Sequence, residues 1–149
     1  MIRKAQIRDI KEIQKLINSF AKKDLMLPRS LNELYESMRD FWVAEENNKV
    51  VGCCALHISW DDLAEIKSLA VAKNRQGKGI ARELVLACLD EAKKLGAKRI
   101  FALTYKPDYF KKFGFKRIKN ADLPHKIWAE CINCCKFPDC QEIAMVKQL

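Results

Sequence analysis

The stretch Arg75 to Val85, RQGKGIARELV, lies between a run that reads as a strand, Leu63 to Val71, and a run that reads as a helix, from Ile80 to Leu95. Two glycines and several cations at the mouth of a helix suit a phosphate. Glycine lets the backbone come close, and the first-turn N–H groups and the helix dipole attract negative charge. Two well-known phosphate motifs fail here. The P-loop requires Lys and Ser or Thr after its second glycine, where Gly79 is followed by Ile80. The dinucleotide fingerprint G-x-G-x-x-G fails because Arg82 stands at its third glycine. The pattern that fits is [QR]-x-x-G-x-[GA], as Gln76-Gly77-Lys78-Gly79-Ile80-Ala81.

Working outward, Met1 to Ala5 is a candidate short strand, and Ile10, Ile13, Leu16, Ile17 and Phe20 recur at helical spacing across Asp9 to Ala21. Ser30-Leu-Asn-Glu33 matches a capping box and predicts a second helix to about Arg39. Phe41 to Glu45 and Val50 to Ile58, separated by Asn47 and Asn48, read as a hairpin. Downstream, Arg99 to Leu103 predicts a strand, Asp108 to Lys112 a short helix, and Gly114 to Ile118 and Gln141 to Val146 two further strands. The alternation of strands and helices predicts an α/β fold in one domain spanning residues 1–149.

The composition, 49% hydrophobic and 32% charged, is that of a globular domain and excludes fibrous and disordered classes. No run approaches the roughly 20 apolar residues that span a bilayer. The N-terminal MIRKAQIRDI carries charge every few residues and no signal-peptide pattern, so the expected location is cytoplasmic and no membrane partner is expected. The net charge of +9 favours an anionic partner without choosing among nucleic acid, acidic membrane and a phosphate-bearing cofactor.

The hexapeptide resembles the acetyl-CoA motif of the GCN5-related N-acetyltransferases. The strand end Leu69-Ala70-Val71 before it and Phe110-Lys-Lys-Phe-Gly114-Phe115 after the next strand are similar to that family's flanking signatures. Five further stretches resemble the short, stand-alone N-acetylglutamate synthases: Leu27-Pro-Arg-Ser30, Gly52-Cys-Cys-Ala-Leu56, Glu65 to Val71, Phe101-Ala-Leu-Thr-Tyr105 and Leu123-Pro-His-Lys126. The resemblance implies a GNAT fold, a mixed twisted β-sheet with helices on both faces and a splayed central strand pair. It implies acetyl-CoA as co-substrate, with Gln76, Gly77, Lys78, Gly79, Ile80 and Ala81 around the pyrophosphate and Leu69, Ala70 and Val71 supplying a backbone N–H to the acetyl oxygen. The implied activity is transfer of the acetyl group to the α-amine of an amino acid, L-glutamate in arginine biosynthesis, with another small amine or a protein amine as the alternative acceptor.

The acceptor amine must lose a proton before it attacks the thioester, and the oxyanion that follows needs a donor. Period-two alternation predicts Glu65, Lys67, Leu69 and Val71 on one strand face, which offers Glu65 as general base and Lys67 to an acidic substrate. A plain ion pair between Glu65 and Lys67 is the alternative. Where the family carries a tyrosine, this chain has Phe110, which leaves Tyr105 and Tyr109 as candidates for the general acid. Arg29 has the planar fork that suits a carboxylate, and Lys126 and His125 are further acceptor candidates. Four of the seven cysteines, Cys131, Cys134, Cys135 and Cys140, stand in one C-terminal run, open to packing, metal and redox readings; no metal ligand is assigned. The expected partner is a small-molecule amine, with a homodimer left open. A nucleic-acid-binding module is the non-enzyme alternative, disfavoured because Phe20, Phe41 and Phe101 fall at core-like positions.

Overall fold

Two largely apolar runs become the central strands, β3 (Lys49–Trp60) and β4 (Leu63–Val71), of a seven-stranded sheet. The computed structural model describes residues 1–23, 26, 28–119, 122 and 142–149. Around the central pair stand β1 (Ile2–Lys4), β2 (Phe41–Glu46), β5 (Arg99–Thr104), β6 (Lys116–Ile118) and β7 (Ile143–Gln148), in the order β1-β2-β3-β4-β5-β7-β6. The helices are α1 (Ile10–Ala21), α2 (Leu31–Glu36), α3 (Ile80–Lys94) and α4 (Pro107–Lys111). The chain resolves into two compact units, Met1–His57 with Ile66–Leu95 and Ile58–Glu65 with Gly96–Leu149.

In the first unit the pleat decides which helix covers which face. Val43 pairs with Cys53 and Phe41 with Ala55, and these side chains join Ile10, Ile13 and Ile17 of α1 and Leu34 of α2 in one core cluster. Alternation turns Trp42, Ala44, Gly52 and Cys54 the other way, toward α3. Gly52 is where that helix comes closest: a Cβ there would meet Leu84 Cδ1 at 3.1 Å and Ile80 Cγ2 at 3.2 Å. Glu91 of α3 then accepts from the Trp42 indole at 3.0 Å and pairs with Lys4 at 3.2 Å. On the opposite face of the same edge strand Arg3 grips Asp9 at 2.7 Å and Glu45 at 2.6 Å. Burial pushes the Asp9 carboxyl up, but the Arg3 bond and the Gln6 N–H outweigh it, so its pKa lies below the usual carboxylate value.

In the second unit β4 pairs in parallel with β5 over Leu63↔Arg99, Ala64↔Ile100 and Glu65↔Phe101, a register that covers three residue pairs. Antiparallel pairing with β7 carries β5 on through Thr104↔Ile143. Leu63, Phe101 and Ala144 form its core cluster, with Leu103, Ile118 and Val146 packed against it.

Three differences from the sequence reading have a local cause. The second helix stops at Glu36, and a 3-10 turn, Met38–Asp40, continues to the start of β2. The capping box is half formed: Ser30 Oγ accepts from the Glu33 N–H at 3.1 Å, while the Glu33 carboxylate meets the Ser30 hydroxyl at 3.4 Å and Arg29 at 3.5 Å. The strand expected from Gly114 begins at Lys116, because the Phe113, Gly114 and Phe115 N–H groups bond back to α4 and its last turn.

Candidate active site

β4 ends at Val71, a 3-10 turn spans Lys73–Arg75, and α3 starts at Ile80. Between them Gly77 and Gly79 take φ of 77° and 84°, a left-handed conformation that L-residues with a Cβ avoid. Gly79 is the N-cap of α3, so no side chain caps the helix and the first-turn N–H groups of Ile80, Ala81 and Arg82 lie beyond reach of intrahelical acceptors. Nothing lies within 4 Å of where a Cβ would stand on Gly77 or Gly79. Open ground before an uncapped 15-residue helix fits a pyrophosphate.

Gln76 has a further task there. Its side-chain amide donates to the Val71 carbonyl at 3.0 Å, bracing the turn against the end of β4. Arg75 is spent on Glu46, Nε to Oε2 at 2.9 Å, and Lys78 is exposed on the outer curve.

Within β4 the structure corrects one expectation. Ser68 has φ 57°, so the strand bulges there, and burial along β4 does not alternate on either side of it. Side-chain parity does not carry across such a residue, so Glu65 and Lys67 share a face and that face is not continued by Leu69 and Val71. A left-handed residue with a Cβ costs about 1–2 kcal/mol. The Ser68 carbonyl accepts from the Cys53 thiol at 3.4 Å, and Cys53 is itself fully buried. Burial pushes the Cys53 pKa up to about 12, so it stays a neutral donor.

The acceptor and proton-transfer candidates divide between the units. In the first, the Arg29 backbone is held at both ends by α1: its N–H donates to Asn18 Oδ1 at 3.3 Å and its carbonyl accepts from Gln14 Nε2 at 3.2 Å. Its guanidinium is left with the long contact to Glu33. Lys67 is half-buried in β4. In the second, Glu65 is buried opposite Phe101, Tyr105 follows the end of β5, and Tyr109 lies on α4. Phe110, at the family's tyrosine position, is buried edge-on against Phe115 at 5.3 Å, whereas Tyr109 is half-buried against Phe113 at 5.4 Å with Lys112 over its ring. Leu27, His125, Lys126 and the four tail cysteines lie outside the described residues. Cys53, Cys54 and Cys88 are free and buried, and among the described residues no group of three or more His, Cys, Asp or Glu is arranged to hold a metal.

The model of the Acetyltransferase (GNAT) family matches residues 7–115. The chain belongs to this family. The acetyltransferase is 40% identical to an uncharacterized N-acetyltransferase of Chlorobaculum tepidum, over 99% of this chain and 96% of that one. It is 36% identical to the amino-acid acetyltransferase of Mycobacterium tuberculosis, over 87% of this chain and 76% of that one. Among solved structures, an M. tuberculosis protein in complex with CoA superposes over 100% of this chain and 99% of its own, with TM-score 0.85 and 33% identity. The N-acetylglutamate synthase of Neisseria gonorrhoeae, complexed with coenzyme A and N-acetyl-glutamate, gives TM-score 0.88 and 27% identity, with 100% of this chain matching 35% of that longer one. The mixed α/β fold is therefore the GNAT fold, and no helix among the described residues is long and apolar enough to cross a membrane.

Proposed function

We propose that this N-acetyltransferase uses acetyl-CoA to acetylate the α-amine of an amino acid, L-glutamate, as a single domain at a cytoplasmic step of arginine biosynthesis. The observation that carries the reading is the left-handed glycine turn opening an uncapped α3, in a chain 36% identical to an amino-acid acetyltransferase. Acetyl-CoA supplies the acetyl thioester. The turn from Gln76 to Ala81 holds its pyrophosphate by backbone N–H groups and the helix dipole. Among the three residues offered for the acetyl oxygen, the Ala70 N–H faces the Cys53 sulfur, so the donors are the N–H groups of Leu69 and Val71.

Glu65 takes the proton from the acceptor ammonium, directly or through water. The freed amine attacks the thioester carbon: the C–N bond forms, the C–S bond breaks, and the CoA sulfur leaves with the bonding pair. A free thiol has a pKa near ~8.5, so protonation of that sulfur, by Tyr109 or Tyr105, is a modest demand. Arg29, with its main chain fixed by Gln14 and Asn18, meets the acceptor carboxylate in place of Glu33, and Lys67 and Lys126 complete the anion site.

A thiol-release assay with acetyl-CoA across the twenty amino acids, a polyamine and a short peptide tests this. Selective turnover of glutamate is expected, and Arg29→Ala should raise the glutamate KM by about tenfold or more while acetyl-CoA affinity stays within twofold. Turnover of the polyamine or peptide alone would overturn the acceptor assignment.

A further inference from the structure

We infer that Cys53, buried in β3, is a positioning residue for acetyl transfer: its thiol holds the left-handed bulge at Ser68 and so fixes where the Leu69 and Val71 N–H groups point. The inference rests on the proposed use of those N–H groups in the reaction. Among the described residues Ser68 is the only non-glycine residue inside a strand with positive φ; the other two, Asn47 and Asn48, form the hairpin turn. Asparagine adopts that conformation readily, and serine has less to offset it.

The compensation comes from the neighbouring strand. Cys53 Sγ, on a side chain with no exposure to solvent, lies 3.4 Å from the Ser68 carbonyl oxygen and donates to it. The same sulfur faces the Ala70 N–H, so one side chain reaches the peptide groups on both sides of Leu69. Two residues on, Val51 accepts from the Ala72 N–H at 2.8 Å, which pins the far side of Val71. Cys53 also belongs to the apolar cluster with Ile13, Ile17, Ala55 and Ala70, where a thiol packs as a small hydrophobe while keeping one weak donor.

The test uses the full chain and four variants, Cys53→Ala, Cys53→Ser, Ser68→Gly and the double variant Cys53→Ala/Ser68→Gly. Cys53→Ala should lower kcat about tenfold with the acetyl-CoA KM within twofold, and Cys53→Ser, which keeps a donor, should recover most of the loss. Glycine accepts the left-handed conformation unaided, so removing the thiol in the Ser68→Gly background should cost under about twofold relative to Ser68→Gly alone. Amide hydrogen exchange at Leu69, Ala70 and Val71, read by NMR without any acceptor, should quicken in Cys53→Ala and return toward wild type in Cys53→Ser. The inference is overturned if the Cys53→Ala loss is the same in both backgrounds, or if exchange at the three amides does not change. Because exchange needs no turnover, a wild-type enzyme inactive on every amino acid would sink the acceptor assignment while leaving the role of Cys53 to be read.

Discussion

Two backbone reversals flank the same segment of this enzyme, and they are built in opposite ways. At Gly77 and Gly79 the chain turns left-handed on residues that accept that conformation at no steric cost, with open space around each. At Ser68 it turns left-handed on a residue that resists, inside a strand, and a buried thiol from the next strand holds it. The first reversal is set by local sequence; the second is set by tertiary contact. In the proposed reaction both shape backbone N–H groups into donors, one set for a pyrophosphate and the other for an acetyl oxygen. A glycine turn is therefore robust to changes around it, whereas the bulge depends on one partner.

The comparison is sharpened most by Gly79→Asp. The left-handed φ of 84° strains an aspartate by about 1 kcal/mol, so the melting temperature should fall by only a few degrees. Its carboxylate, however, would stand where the pyrophosphate is expected, and acetyl-CoA affinity should fall more than about 100-fold. Calorimetric titration with CoA reads this, and a variant that binds CoA normally would remove the turn from the cofactor site.

A smaller effect is expected from pH. Burial raises the Cys53 pKa to about 12, and the hydrogen bond with Cys88, helped by burial, raises that of Cys54. Each neutral thiol therefore contributes stability that is complete below the unfolded-chain pKa of ~8.5. That contribution is lost as pH rises from there toward the folded value, at up to about 1.4 kcal/mol per pH unit for each thiol. Denaturant unfolding at pH 8, 9 and 10 should show falling stability, with a shallower slope in Cys53→Ala. An unchanged slope in that variant would mean the thiol is not sheltered as described.

The sequence was informative wherever a residue type announces its own conformation or face. The apolar periodicity of Ile10, Ile13 and Ile17 marked the buried side of α1, the bounds of β4 were read as Leu63 to Val71, and the spacing of Gly77 and Gly79 marked the turn ahead of α3. It was silent where a residue acts through a distant partner. Nothing local to Ser68 signals a bulge, so the reading carried period-two alternation straight through it. Gln76 looked like a ligand contact by its place in the motif, whereas its amide is engaged with Val71. Gly52 drew notice only as part of a resemblance, although its missing Cβ is what lets α3 approach β3. Gln14 and Asn18 gave no sign that they would hold the Arg29 backbone, because a side chain gripping a loop carries no periodic signature.

The segment from Leu69 to Ala81 is proposed to receive the acetyl donor. Titrating CoA and acetyl-CoA into isotope-labelled protein and following backbone amide resonances tests it directly. Both ligands should shift Gly77, Lys78, Gly79, Ile80 and Ala81, and acetyl-CoA should further shift Leu69 or Val71 relative to CoA. Saturable binding that leaves the amides from Gly77 to Ala81 unmoved would contradict it.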